Sequence, residues 1–97
     1  MATYILLASY TEQGIKGIKD TVKRTDAVRD LAKKAGLTMK ESYWTLGQFD
    51  VVAVFEAPDD ETMTAFSLSV AKLGNVKTQT LRAFSSKDMA GILAKMV

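Results

Sequence analysis

Two strand-length runs in this chain are apolar on both faces, and that narrows the fold to very few choices. Tyr4-Ile5-Leu6-Leu7-Ala8-Ser9-Tyr10 is almost continuously apolar. Phe49 to Phe55 places Val52 and Val54 on one side and Val51, Ala53 and Phe55 on the other. A strand with one wet face alternates, whereas a run without a polar side belongs in the middle of a sheet covered from two directions. Two further runs do carry charge. Leu37 to Leu46 sets Met39, Tyr43 and Trp44 among Lys40, Glu41 and Ser42, and Val76 to Phe84 alternates Val76, Thr78, Thr80 and Arg82 with Lys77, Gln79, Leu81 and Ala83. Charged, half-polar strands suit sheet edges, where they discourage stray pairing.

Helical signals fill the gaps between these runs. Thr11 is placed to cap a helix, with Glu12 as the favourable acid in its first turn. Ile15, Ile18 and Val22 follow at helical spacing, and a second set, Ala27, Val28, Leu31, Ala32 and Ala35, runs out of phase with them. Thr25-Asp26 reads as a fresh cap, so the pattern predicts two helical pieces broken near Lys23–Thr25 and ended by Gly36. Gly47-Gln48 reads as a tight turn joining the second and third strands. Pro58 stops the third strand, and Asp59, Asp60 and Glu61 put negative charge where a helix begins. Met63, Phe66, Val70 and Leu73 form that helix's buried stripe up to Gly74. Ser85-Ser86-Lys87-Asp88 resembles a capping box, opening a terminal helix with Met89, Ile92, Leu93 and Met96 on one face.

The order is βαββαβ plus a C-terminal helix, which predicts an α+β, ferredoxin-like split βαβ with an antiparallel sheet in the order 4-1-3-2. That order puts the doubly apolar strands in the centre. Residues 1–97 are expected to form a single domain. Helices cover only one face of such a sheet, yet its central strands are apolar on both. One short terminal helix is too small to cover four strands, so the pattern predicts a homodimer packed sheet to sheet.

Residue types absent from the chain exclude much chemistry. There is no cysteine and no histidine. Disulfides, thiolate zinc sites and Ser-His-Asp or Cys-His catalysis are therefore ruled out. Catalysis would rest on carboxylates, lysines, tyrosines or a bound cofactor, and no cofactor or metal motif stands out. The net charge is +2, with 13 basic and 11 acidic residues intermixed, which lacks the one-signed stripe of a nucleic-acid binder. The basic run Lys16–Lys34, interrupted by Asp20, Asp26 and Asp30, reads as a solvated helix face. The apolar N-terminal run is too short for a signal or membrane span, so a cytoplasmic location is expected.

The residues resemble the GYD-domain family over nearly the whole chain. The resemblance rests on Tyr10-Thr11-Glu12-Gln13-Gly14, on Tyr43 through Asp50, on Glu56-Ala57-Pro58-Asp59-Asp60, and on Gly74 through Thr78 with Leu81-Arg82-Ala83-Phe84. Of the Gly-Tyr-Asp signature, Gly47 and Asp50 are retained while Phe49 replaces the tyrosine, removing its hydroxyl. The resemblance implies a dimeric α+β barrel in which two ferredoxin-like sheets face one another. It also brings in the reactions found in such barrels, cofactor-independent monooxygenation or lactone isomerisation, as one functional reading.

Candidate site residues follow from side-chain chemistry. Tyr10, Gln13, Tyr43, Trp44 and Asp50 would line a sheet–helix or dimer-interface cavity, apolar with a few polar points, with Met39, Met63 and Met89 as pliable lining. Asp50 is the one candidate general base; the structural reading has it accept hydrogen bonds from the turn's amides. Arg82, on a Thr-rich strand face, suits either a carboxylate or phosphate ligand or an inter-subunit ion pair. Glu56 would cap the next helix or pair with a basic residue such as Arg82. Gln13-Gly14 offers backbone amides to an anion. Three functional readings result: a homo-oligomeric binder of a small apolar molecule, an enzyme of dimeric-barrel type, and a structural or interaction subunit without a ligand.

Overall fold

The computed structural model describes residues 1–97. In order it contains β1 (Ala2–Tyr10), α1 (Glu12–Lys16), a 3₁₀ turn (Ile18–Asp20), α2 (Thr21–Lys34), β2 (Thr38–Trp44), β3 (Val51–Ala57), α3 (Asp60–Ala71), β4 (Val76–Ala83) and α4 (Ser86–Leu93). The strands form one antiparallel sheet ordered β2-β3-β1-β4, the expected 4-1-3-2 read from its other edge. The two doubly apolar strands are the central pair. Strand alternation sends Tyr4, Leu6 and Ala8 of β1 and Ala53, Phe55 and Ala57 of β3 into the core beneath the helices. Leu37, Met39, Met63, Phe66 and Val70 complete it, with the Phe55 and Phe66 rings 5.1 Å apart and tilted by 58°.

The local signals act where the sequence placed them at most helix ends. Thr11 accepts from the Gly14 amide at 3.1 Å to start α1, and Asp59 accepts from the Thr62 amide at 2.8 Å to start α3. Ser85 and Asp88 form a full capping box on α4, each accepting from the other's amide at 3.1 Å. Each bond satisfies a donor that helix geometry leaves without a partner.

Three expectations need correction. The helix break lies at Gly17–Asp20 and not at Lys23–Thr25. Thr25 sits inside α2 and donates to the Thr21 carbonyl at 3.0 Å, while Arg24 folds back onto the Gly14 and Gly17 carbonyls. Arg24 thereby bonds the Gly14 carbonyl and adds a second donor to the Gly17 carbonyl, which already accepts from the Asp20 amide at 3.0 Å, and so stabilises the break. Second, the β2–β3 connection is the longer segment Thr45–Asp50, with β3 starting at Val51. Thr45 spans it, its amide donating to the Asp50 carbonyl at 2.8 Å and its hydroxyl to the Phe49 carbonyl at 2.6 Å. Third, Leu73, expected in the buried stripe of α3, is exposed; Ile15, Ile18 and Val22, beside the helix break, are exposed as well.

The opposite face of the sheet has no cover from this chain. In register across it lie Glu41, Val54, Ile5 and Leu81, then Tyr43, Val52, Leu7 and Gln79. Ile5, Leu7, Val52 and Val54 are half-buried by their neighbours alone, and Leu81 is exposed. Helix α4 does not lie over them: none of its residues is buried and it packs substantially on no other element. The outcome is an elongated particle of 51 × 30 × 18 Å with a radius of gyration of 14.5 Å, against about 12.5 Å for a compact chain of this length.

Candidate functional site

A cavity of about 170 Å³ lies between the covered sheet face and α2. Its floor is Leu6, Ala8, Val51, Ala53 and Phe55, and its roof is Val28 and Leu31 of α2. Thr21, Thr25, Val28 and Leu31 recur at helical spacing, so a single face of α2 forms that roof. Small residues in the floor and the stand-off of α2 leave the space unfilled. Polar groups gather toward the Tyr10 end, where Tyr10, Thr21, Arg24 and Asn75 meet, and Thr25 and Ser42 add hydroxyls elsewhere in the lining.

Hydrogen bonds build that end. Thr21 Oγ1 accepts from the Trp44 indole N–H at 3.0 Å and lies 2.8 Å from the Tyr10 hydroxyl. Three elements, β1, β2 and α2, are thus tied through one hydroxyl. Asn75 joins the wall through a second latch: its carbonyl accepts from the Thr11 amide at 3.1 Å, and its side-chain oxygen accepts from Gln13 Nε2 at 2.9 Å. Gly14 makes this latch possible, because a β-carbon there would sit 2.0 Å from the Asn75 carbonyl oxygen.

The six residues singled out from the sequence fall into separate places. Tyr10 lines the cavity and Trp44 is tied to its rim. Gln13 lies one step behind, clipping α1 to Asn75 and to the Leu73 carbonyl. Asp50 does not line the cavity. Its carboxylate accepts from the Tyr10 amide at 2.9 Å, so it holds the end of β1 and not the amides of its own turn, a correction to the structural role expected for it. Tyr43 stands on the uncovered face, where its hydroxyl donates to Glu41 at 3.1 Å; that bond raises its pKa. Arg82 lies at the far end of β1, six residues or about 20 Å from Tyr10.

Around Arg82 a different cluster forms. Its guanidinium sits 5.5 Å from the Tyr4 ring and 4.6 Å from the Phe84 ring and donates to the Thr3 and Ala83 carbonyls. Tyr4 donates its hydroxyl to Asp60 at 2.5 Å. That bond, then burial, raises the Tyr4 pKa. Glu56 does pair with a basic residue, Lys40 at 3.6 Å and not Arg82, and it does not cap α3. Of the methionines, Met39 lines the cavity, Met63 packs in the core and Met89 lies on α4. The Gly14 amide is taken by Thr11, which removes it as an anion donor.

Sequence reasoning passed over Thr21, Arg24, Ser42 and Asn75. A signal existed for two of them: Thr21 and Thr25 continue the Val28–Leu31 stripe toward the start of α2, with Arg24 beside it. Read as part of a charged run, Arg24 looked like solvated surface. Chemically, the cavity offers apolar volume, hydroxyls and one guanidinium, with no carboxylate in its wall. No three acidic side chains converge to hold a metal ion, and no helix is long and apolar enough to cross a membrane.

Comparison with known proteins adds to this picture. A family model described as GYD domain matches residues 4–93. A Thermus thermophilus protein, named glutamine synthetase and cystathionine beta-lyase binding protein, is 33% identical over 90 residues, covering 92% of this chain and 95% of that one. Among solved structures, FFRP-DM1 superposes with a TM-score of 0.61 at 19% identity, over 87% of this chain and 100% of the other. A structure from Thermus thermophilus gives 0.58 at 23% identity, over 89% and 96%. A hypothetical protein of Pyrococcus horikoshii gives 0.57 at 19% identity, over 89% and 93%. At these identities the structural likeness establishes the fold.

Proposed function

The chain belongs to the GYD-domain family, and from that premise we propose that it is a self-associating interaction subunit whose assembled form docks on other proteins. The uncovered sheet face carries this reading. Ile5, Leu7, Val52, Val54 and Leu81 form a contiguous apolar patch across three strands, and patches of that kind mark association surfaces. The chain presents 6638 Å² of accessible surface, while a compact monomer of its mass presents about 5,500 Å². The excess of roughly 1,100 Å² is comparable to one partner's share of a stable interface, about 800 Å². A second copy packed sheet to sheet, as in a dimeric α+β barrel, would remove the patch from water. The exposed apolar residues of α4, Met89, Ile92 and Leu93, would then reach the partner.

A relative named for binding glutamine synthetase and cystathionine beta-lyase supports enzymes as the class of partner. The test uses purified protein from this chain's own source organism, mixed with that organism's glutamine synthetase and cystathionine β-lyase. Stoichiometric co-migration in light scattering at micromolar concentration is the expected result. If both enzymes elute at their own masses alongside the free protein, the reading fails.

A second reading is favoured by the cavity under α2: the protein holds a small, largely apolar molecule there. Native mass spectrometry of protein purified from its own source would report such a molecule as added mass. The lining supplies no carboxylate base, so the cavity as built suits binding more than proton abstraction.

A further inference from the structure

Arg24 sets the chemistry of the cavity mouth. It belongs to none of the chain's ion pairs, and no acidic side chain lines the cavity it borders. Two of its N–H groups are spent on the Gly14 and Gly17 carbonyls, which fix the guanidinium in place. A guanidinium carries five N–H groups, so three remain. Gly17 is needed for this arrangement, because a β-carbon there would lie 2.3 Å from Nη2. A positioned cation without a counter-ion, at the mouth of an otherwise apolar space, is an incomplete charge pair.

We infer that the cavity binds a small monocarboxylate, its apolar body under α2 and its carboxylate on Arg24. The inference rests on the small-molecule reading above and adds the ligand's charge and size. The volume of about 170 Å³ slightly exceeds an apolar cavity of about 150 Å³ that admits benzene. One aromatic ring or a short branched chain therefore fits, and a long fatty acid does not. Arginine meets a carboxylate with parallel N–H···O bonds, which neutral and cationic analogues of the same shape cannot form. Tyr10, Thr21 and Asn75 supply hydroxyl and amide groups near the same end.

The experiment titrates the full chain at neutral pH with benzoate, benzyl alcohol and benzylammonium, followed by amide chemical shifts in NMR. Benzoate is expected to shift the amides around Tyr10, Arg24 and Val28 and to bind about tenfold or more tightly than benzyl alcohol, with benzylammonium weakest. Arg24→Met should lower benzoate affinity to that of the alcohol. Val28→Phe, which fills the space from the roof, should abolish both while the fold persists. Equal affinity for benzoate and benzyl alcohol in the wild type, a comparison that needs no variant, overturns the carboxylate assignment and leaves the small-molecule reading standing. An unchanged benzoate affinity in folded Arg24→Met does the same. No binding of any of the three at concentrations up to about 10 mM overturns both.

Discussion

Replacing Leu7 by Glu tests the self-association surface most directly. Leu7 lies near the middle of the uncovered face, in register with Val52 on one side and Gln79 on the other. It is already half-buried in the isolated chain, so pairing with a second copy would bury the remaining half, about 1 kcal/mol per side chain. A two-fold interface contains the substitution twice. The two carboxylates would be desolvated without partners at an effective cost of several kcal/mol per ion. Taken together the loss is on the order of 5 kcal/mol or more, a rise in dimer Kd of between three and four powers of ten. The monomer should tolerate the change, since a single chain leaves this face in water and Lys77 lies opposite the nearby Ser9. Sedimentation equilibrium with far-UV circular dichroism reads both effects: wild type dimeric in the micromolar range, variant monomeric with unchanged secondary structure. A wild-type chain that sediments as a monomer, or a variant with wild-type dimer affinity, would refute the reasoning.

Three further outcomes are expected. Truncation after Ser85 removes α4, which has no substantial packing within its own chain; the monomer's stability should move by no more than about 0.5 kcal/mol while dimer affinity falls, as denaturant melts and sedimentation can show. Gly14→Ala forces a β-carbon to 2.0 Å from the Asn75 carbonyl oxygen and should cost about 3 kcal/mol or more in urea unfolding, so a loss below about 1 kcal/mol would show that the α1 corner is freely movable. Stability should also depend on pH at both extremes. The Tyr4 pKa is raised by its bond to Asp60 and by burial, so the unfolded chain loses that proton first. Its contribution is complete below the ordinary value of 10.0 and declines as pH rises through the native value; Asp60→Asn should flatten the decline in alkaline melts. Asp59 has the opposite sign: bonds from Thr62 lower its pKa, so its share is present above the ordinary 3.8 and is lost as pH falls through the native value.

What could be read from the residues was what depends on local pattern. Double apolarity marked β1 and β3 as central, charge marked β2 and β4 as edges, and Thr11, Asp59 and Ser85-Asp88 marked three helix starts. These signals act over a few residues, so sequence neighbours carry them. The helix break escaped because Thr25-Asp26 imitates a cap, while the real break depends on Arg24 reaching back ten residues to the Gly14 carbonyl. Asp50 was noticed, yet its partner, the Tyr10 amide, lies 40 residues away. A cavity between sheet and helices was expected, but most of its lining escaped for a different reason. A void is set by the distance between α2 and the sheet, which is a sum over the whole packing and leaves no mark at any one position. Tyr10 and Trp44 were chosen for their side-chain chemistry and reach that rim; Tyr43, equally aromatic, alternates onto the other side of the sheet.

Trp44 is the chain's one indole, and its ring nitrogen is fastened to Thr21 at the edge of the cavity. Light that selects for indole therefore excites a single fluorophore at the place where a guest would enter. Its emission wavelength and quenching by iodide would follow opening and occupancy of that rim in real time. The absence of cysteine lets a dye be attached at any engineered thiol, so distances from that one lamp can be measured without a competing label.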